Sequence, residues 1–179
     1  MLRLQRIQTN SKYYPFVEEL LETAFPPEER RDTELQRSIT NGKEHFHCNL
    51  IHTSQGECLG VITYWDFRSF VFIEHFAITP DYQGMGYGSQ VLQMLQEQTS
   101  IPLLLEVEMP QRAHDTAYRR IAFYRRQGFK LRHSPYRQPP YRLGGEWLPM
   151  KLMMLRKFKP GEIGMAIKTI YREVYDIYV

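Results

Sequence analysis

Val71-Phe72-Ile73-Glu74-His75-Phe76-Ala77-Ile78, then Thr79-Pro80-Asp81-Tyr82, then Gln83-Gly84-Met85-Gly86-Tyr87-Gly88, is the stretch on which the fold turns. It reads as an apolar strand, a proline-containing turn and a glycine-rich mouth that opens an amphipathic helix. Three glycines at alternate positions let the backbone approach a ligand closely and leave amide N–H groups at a helix N-terminus. That arrangement suits a phosphate or pyrophosphate. The helix itself is marked by Tyr87, Val91 and Leu95, with Leu92 and Met94 beside them and glutamines opposite.

Upstream, Leu2 to Ile7 alternates as a first strand. Ser11 caps a helix running through Ala24, with Phe16, Leu20, Leu21 and Ala24 on its apolar side. Phe25-Pro26-Pro27-Glu28-Glu29-Arg30-Arg31 breaks it, and a short second helix covers Asp32 to Ile39, stopped by Asn41-Gly42. Three apolar runs then read as an antiparallel meander: His45 to His52, Cys58 to Phe67 and Phe70 to Ile78.

Downstream, Ile101 to Glu108 is a strand whose unbroken Leu103-Leu104-Leu105 suggests burial on both faces. A helix from Asp115 to Gln127 follows, with Ala117, Ile121 and Tyr124 in line, Gly128 at its C′ position and Phe129 starting the next strand. The Pro- and Tyr-rich connection Ser134 to Leu148 is long for a loop, which marks it as functional or held by packing. Met150 to Leu155 is a last strand. Gly164 to Tyr178 is a last helix, with Ala166, Ile167, Ile170, Val174 and Tyr178 in line. The order β-α-α-β-β-β-α-β-α-β-β-α predicts an α/β (α+β) fold in one domain, with a mixed, mostly antiparallel central sheet flanked by helices.

The bulk properties agree with a soluble globular chain. Its 179 residues are 42% hydrophobic and 24% charged, enough for one substantial core. A net charge of +3 does not by itself argue for nucleic acid. No apolar run approaches the roughly 18–20 residues that span a bilayer, and Met1 to Asn10 lacks the apolar core of a signal peptide. Cys48 and Cys58 show neither metal spacing nor a disulfide framework, so a cytoplasmic, reduced protein is expected. No His/Cys/Asp/Glu cluster has ligand spacing, and no metal is expected.

Other glycine-rich motifs fit poorly. A dinucleotide fingerprint needs a third glycine where Ser89 stands, and an opening βαβ unit where the meander stands. A P-loop needs a Gly-Lys-Ser/Thr that does not follow. What remains is an anion cradle or a purely structural turn.

The element order, Gln83-Gly84-Met85-Gly86-Tyr87-Gly88, and Ala122-Phe123-Tyr124 with Gly128-Phe129 together resemble the GNAT family of N-acetyltransferases. The resemblance runs from Leu2 to about Arg156. Gln83, Gly86 and Gly88 match the family's Gln/Arg-x-x-Gly-x-Gly/Ala cofactor turn after the fourth strand. Phe123, Tyr124, Gly128 and Phe129 match its second motif. The place near Ala117 lacks the Asn many members carry, and Met109 to Thr116 looks longer than the common form.

The resemblance implies a coenzyme A thioester, acetyl-CoA, as donor. Gln83, Gly84, Met85, Gly86, Tyr87, Gly88 and Ser89 would form the pyrophosphate turn, amides of Met85, Gly86, Gly88 and Ser89 donating with the helix dipole. The pantetheine arm would run along Phe76, Ala77 and Ile78, where an N–H polarises the thioester carbonyl. Arg119, Arg120, Arg125 and Arg126 either help the phosphates or form a solvated helix face. Tyr124 would serve the departing thiolate. An alkylammonium with a pKa of about 10.4 must lose a proton, so a base is needed. Glu106 on the fifth strand and Glu74 on the fourth are its candidates, each alternatively a structural carboxylate; Glu108 and His75 stand behind them. Strand alternation sets Glu74 and His75 on opposite faces.

The activity implied is direct acetyl transfer to a primary amine of a small molecule or peptide. A non-catalytic acyl-CoA-binding or sensor module on the same fold is the alternative. Nucleic-acid binding is poorly supported, since Asp115 opens the arginine helix with a negative charge. Phe25 to Arg30, with Tyr136, Tyr141 and Trp147, either walls an acceptor cleft or, as loop aromatics more often do, simply packs. Residues 1–158 form the acetyl-CoA-binding domain. Residues 159–179 form a C-terminal helical extension, its apolar stripe covering the domain's own sheet or a partner subunit, as in a homodimer.

Overall fold

A computed structural model of the chain describes residues 1–111 and 115–178. Among the described residues there are eight strands and five helices, with two single 3-10 turns at Pro27–Glu29 and Pro80–Tyr82. The class is the expected one: a mixed α/β fold whose mostly antiparallel sheet is flanked by helices. The chain packs as two compact units.

The first unit holds residues 1–67 and 73–100. Its strands are β1 (Leu2–Arg6), β2 (Phe46–Thr53), β3 (Cys58–Asp66) and most of β4 (Val71–Ile78), in that order across the sheet. Its helices are α1 (Tyr14–Ala24), α2 (Thr33–Gly42) and α3 (Tyr87–Gln98). Val17, Leu20 and Leu21 of α1 and Val91, Leu92 and Leu95 of α3 are buried, as are Leu50, Ile51, Leu59, Val61 and Ile62 of the strands. Each fully buried side chain of this size contributes about 1.5–3 kcal/mol, so the two helical stripes hold this unit together.

Two helix boundaries differ from expectation. Ser11 does not cap α1: its Oγ accepts the Tyr13 N–H in a local turn, and the helix starts at Tyr14 with proline in its first turn. Conversely α2 runs through Asn41-Gly42 instead of stopping there. Asn41 exchanges two hydrogen bonds with Thr9, at 2.6 and 3.1 Å, which ties that last turn down. Asp32 caps α2, accepting the Leu35 N–H at 2.9 Å.

The second unit holds residues 68–72 and the chain from 101 onward. Its strands are β5 (Leu103–Glu108), β6 (Lys130–Leu131), β7 (Tyr136–Gln138) and β8 (Leu148–Leu155), and its helices α4 (Thr116–Arg126) and α5 (Glu162–Tyr175). β8 pairs antiparallel with β5, β6 and β7. The Ser134–Leu148 connection therefore contains a strand that its prolines conceal, and Tyr136 and Gln138 turn one face of it inward. In α5 the buried stripe is Ala166, Ile170, Val174 and Tyr175, while Tyr178 lies beyond the helix and is exposed. Leu103, Leu104 and Leu105 are all buried, as a central strand requires.

Gly60 of β3 fixes the last turn of β4. A Cβ there would overlap the Ala77 carbonyl oxygen and approach Ile78 Cα to 3.1 Å. Gly60→Ala is expected to force β4 aside between Ala77 and Ile78, at about 1–3 kcal/mol of stability. Urea denaturation checks it, and a wild-type midpoint would show that this close approach is not a constraint.

Candidate active site

In the first unit the chain leaves β4 through the Pro80–Tyr82 turn and enters α3 at Gly86. Gly84 and Gly86 have φ of 79° and 84°, a left-handed backbone open to glycine, and a Cβ at either would project into empty space. No side chain caps α3. The first intrahelical bond found there is Gln90 N–H to Gly86 carbonyl, so the amides of Tyr87, Gly88 and Ser89 precede it. Met85 is exposed beside this mouth. The residues thus fit an anionic group: a shallow, uncapped helix N-terminus with room above its glycines. Gln83 braces the turn, its side-chain amide donating to the Ile78 carbonyl at 2.8 Å. Phe76, Ala77 and Ile78 are half-buried, unlike Val71 to Ile73 before them.

Glu74 is also in this unit, in a different setting. Its Oε1 lies 2.6 Å from Arg31 Nη1, with the two side chains 0% and 1% exposed. Its Oε2 accepts the Trp65 Nε1–H at 2.9 Å. The Arg31 guanidinium also faces the Trp65 ring at 5.6 Å and donates to Gln36 Oε1 at 3.3 Å. Both carboxylate oxygens are engaged in this network, which straps the loop after α1 onto β3 and β4.

His75, the next residue, joins the same strap. Its Nε2 lies 2.9 Å from the Glu29 carbonyl, so that nitrogen carries the proton, and Nδ1 lies 3.3 Å from Thr63 Oγ1. The His75 N–H donates to the same Thr63 oxygen. Burial pushes the His75 imidazole below its usual range, so it is neutral. Glu74 and His75 thus both bond β3 side chains that alternation puts on one face, Trp65 and Thr63, and both reach the 29–31 segment. Strict alternation along β4 does not hold at this pair. Phe25 packs edge-on against His75 at 4.7 Å. A cavity of about 20 Å³ beside Arg30, Arg31 and His75 has room for roughly one water molecule, too little for an acceptor.

In the second unit Tyr124 stands in the last turn of α4, between Phe123 and Phe129 at 5.2 and 5.7 Å. The helix ends as the sequence predicts. Gly128 N–H bonds the Arg125 carbonyl and Phe129 N–H bonds the Tyr124 carbonyl, each at 3.0 Å, with Gly128 at φ 89°. Phe129 is buried. The motif's glycine and phenylalanine therefore locate the tyrosine. Burial pushes the Tyr124 phenol up to about 12, against an opposing pull from Arg120, so it stays protonated at neutral pH. Arg120 pairs loosely with Glu108 at 3.5 Å, both half-buried, and Arg125 and Arg126 lie at the helix C-terminus, where the dipole favours cations. Of Met109 to Thr116, residues 112–114 lie outside the described residues; Asp115 caps α4 through the Tyr118 N–H at 2.7 Å.

Glu106 of β5 is half-buried and accepts two phenol hydrogens. Tyr136 Oη donates to Oε1, and Tyr175 Oη donates to Oε2 at 2.6 Å. The loop aromatics considered for the acceptor cleft gather here on α5. Tyr136 lies 5.8 Å from Tyr171, Trp147 5.5 Å from Tyr171, and Tyr141 4.8 Å from Tyr175. Tyr171 Oη is held by the Arg137 carbonyl at 2.7 Å. The sequence reading missed Tyr175, whose place on the buried stripe next to Val174 was its only signal.

Among the described residues no group of three or more His, Cys, Asp or Glu could hold a metal ion, and no helix is long and apolar enough to cross a membrane. Cys48 and Cys58 are free, and burial pushes the Cys48 thiol up to about 12.

Comparison with known proteins follows the same lines. A sequence model described as the acetyltransferase (GNAT) family matches residues 13–129. A solved chain from Bacteroides thetaiotaomicron, assigned to the GNAT acetyltransferases, is 40% identical and superposes with a TM-score of 0.90, covering 98% of this chain and 99% of that one. The Bacillus subtilis protein YjbC, itself assigned as an acetyltransferase, is 26% identical over 116 residues; these are 65% of this chain and span 57% of that protein's length. A Vibrio cholerae spermidine N-acetyltransferase solved with CoA and spermine has a similar fold at 14% identity, with a TM-score of 0.63 over 86% of this chain and 94% of that one.

Proposed function

Because this chain belongs to the acetyltransferase (GNAT) family, we propose that it is an acetyl-CoA-dependent N-acetyltransferase passing an acetyl group directly to a primary amine of a small molecule or peptide. The observation that carries the catalytic reading is the place of Tyr124, a phenol fixed in the last turn of α4 by the left-handed turn at Gly128 and the buried Phe129. A module that only binds acyl-CoA needs no such donor.

Acetyl-CoA supplies the thioester whose carbonyl carbon receives the amine. The amides of Met85, Gly86, Gly88 and Ser89 would hold its pyrophosphate, helped by the α3 dipole. The backbone of Phe76, Ala77 and Ile78 would hold its pantetheine arm. An N–H near Phe76 or Ala77 would stabilise negative charge on the carbonyl oxygen. Glu106 takes the proton that the amine gives up, directly or through a water, as the new C–N bond forms. Tyr124 Oη gives its proton to the sulfur as the C–S bond breaks. We place the base at Glu106 and not at Glu74, because Glu74 would have to surrender Arg31 before it could accept a proton. The CoA complex of the Vibrio cholerae enzyme supports the donor side, since its fold is the same.

The test is thiol release from acetyl-CoA across a panel of alkylamines, amino sugars, amino acids and peptide N-termini. Amine-dependent release with at least one class is expected. Tight CoA binding with no amine-dependent release would put the non-catalytic module in its place.

A further inference from the structure

Glu106 is the base candidate whose two oxygens are both met by phenol hydroxyls. Its two oxygens are claimed by phenols of separate elements, Tyr136 of β7 and Tyr175 of α5. These partners lie 30 and 69 residues further along the chain, so neither is a by-product of local structure. α5 is held firmly enough to place its phenol: Ala166, Ile170, Val174 and Tyr175 are buried, and Tyr171 is tied to the β7 backbone.

We propose that Tyr175 and Tyr136 are positioning residues that together hold the Glu106 carboxylate ionised and in one orientation, so that the C-terminal helix is a working part of the catalytic unit. This rests on the reading of Glu106 as the base. A carboxylate accepting two hydroxyl hydrogens is stabilised in its charged form and loses the freedom to rotate. A base held this way is ready for an ammonium at neutral pH. The Tyr175 bond also satisfies a phenol that the packing of α5 buries.

The groups facing Glu106 within its unit are consistent with this. Burial, and then the Glu106 charge, push the Tyr136 phenol up, so it remains a donor. Tyr171 of α5 is raised by the same two causes, and Tyr141 acts on Tyr136 in the same sense. On β5 itself Glu108 lies two residues on and is paired with Arg120. On β8, Leu152 stands opposite Glu106, and the neighbouring Lys151 gives its Nζ to the His133 carbonyl. β7 and α5 each present a phenol that donates to the carboxylate.

The experiment titrates the Glu106 carboxyl carbon by NMR in protein labelled with δ-13C glutamate, its signal assigned by its loss in Glu106→Gln. Tyr175→Phe is expected to raise the midpoint by about one pH unit, the size of one hydrogen bond to a charged group. Tyr136→Phe is expected to do the same, with circular dichroism showing both folded. An unmoved midpoint in folded Tyr175→Phe overturns the proposal, since a merely structural phenol would change stability and leave the titration alone. Turnover separates the two readings. If Glu106→Gln consumes acetyl-CoA at the wild-type rate with the responsive amines, the base assignment fails, and with it the catalytic role proposed for α5. A Glu106→Gln loss of 100-fold with an unmoved Tyr175→Phe midpoint removes the clamp alone.

Discussion

Arg31→Met is expected to destabilise the fold by about 3–5 kcal/mol, the size found when one partner of a buried ion pair is removed. Against a total stability of about 5–15 kcal/mol this can unfold much of the protein at room temperature. The reason is Glu74. Its side chain is fully buried, and Arg31 at 2.6 Å is the charge that compensates it. Without Arg31 the buried carboxylate loses the guanidinium 2.6 Å away, while Trp65 still donates to its other oxygen. The substitution also removes the guanidinium from the Trp65 face and from Gln36. The double variant Arg31→Met with Glu74→Leu is expected to recover much of the loss, because two apolar groups of similar volume carry no desolvation penalty. Urea denaturation of the two single variants and the double one checks this. A loss under about 1 kcal/mol for Arg31→Met would place the pair among the weakly contributing surface bridges.

Tyr124→Phe is expected to lower kcat by about 100-fold or more, the lower end of what a positioned general acid contributes. The KM for acetyl-CoA is expected to stay within a few-fold, because the ring and its contacts with Phe123 and Phe129 remain. With its phenol at about 12, Tyr124 keeps its proton across the neutral range, so raising the pH from 7 to 9 is not expected to slow the wild type through this residue. Steady-state kinetics at two pH values test both statements. Wild-type turnover in Tyr124→Phe would transfer the thiolate proton to water and leave the tyrosine a packing residue.

Local signals in the sequence reached far into the fold. The Val71–Ile78 strand was readable from its apolar run, and the helix mouth after it from glycines that φ values of 79° and 84° require. The Gly128 stop, and with it the place of Tyr124, followed from one residue's left-handed backbone. Where the sequence misled, the cause was a partner far away in the chain. Asn41-Gly42 looks like a stop, yet Thr9 holds it in helix. Tyr136–Gln138 looks like loop between prolines, yet Met150 and Leu148 give it a strand to pair with. Glu74 and His75 should part by alternation, yet Arg31, Trp65, Thr63 and the Glu29 carbonyl gather both.

Features that depend on a residue and its near neighbours are legible in the chain: backbone freedom at Gly84 and Gly86, the periodic stripes of α3 and α4, and the spacing that pins Tyr124 to a helix end. Its two glutamates could not be told apart, since each sits in an apolar strand with the same alternation. Only the tertiary structure separated them. A carboxylate's chemistry is set by the donors and charges around its oxygens, and these arrive from distant elements: Arg31 and Trp65 for Glu74, Tyr136 and Tyr175 for Glu106. One carboxylate is thereby bound into a buried ion pair, and the other is held by two phenols at a half-buried position.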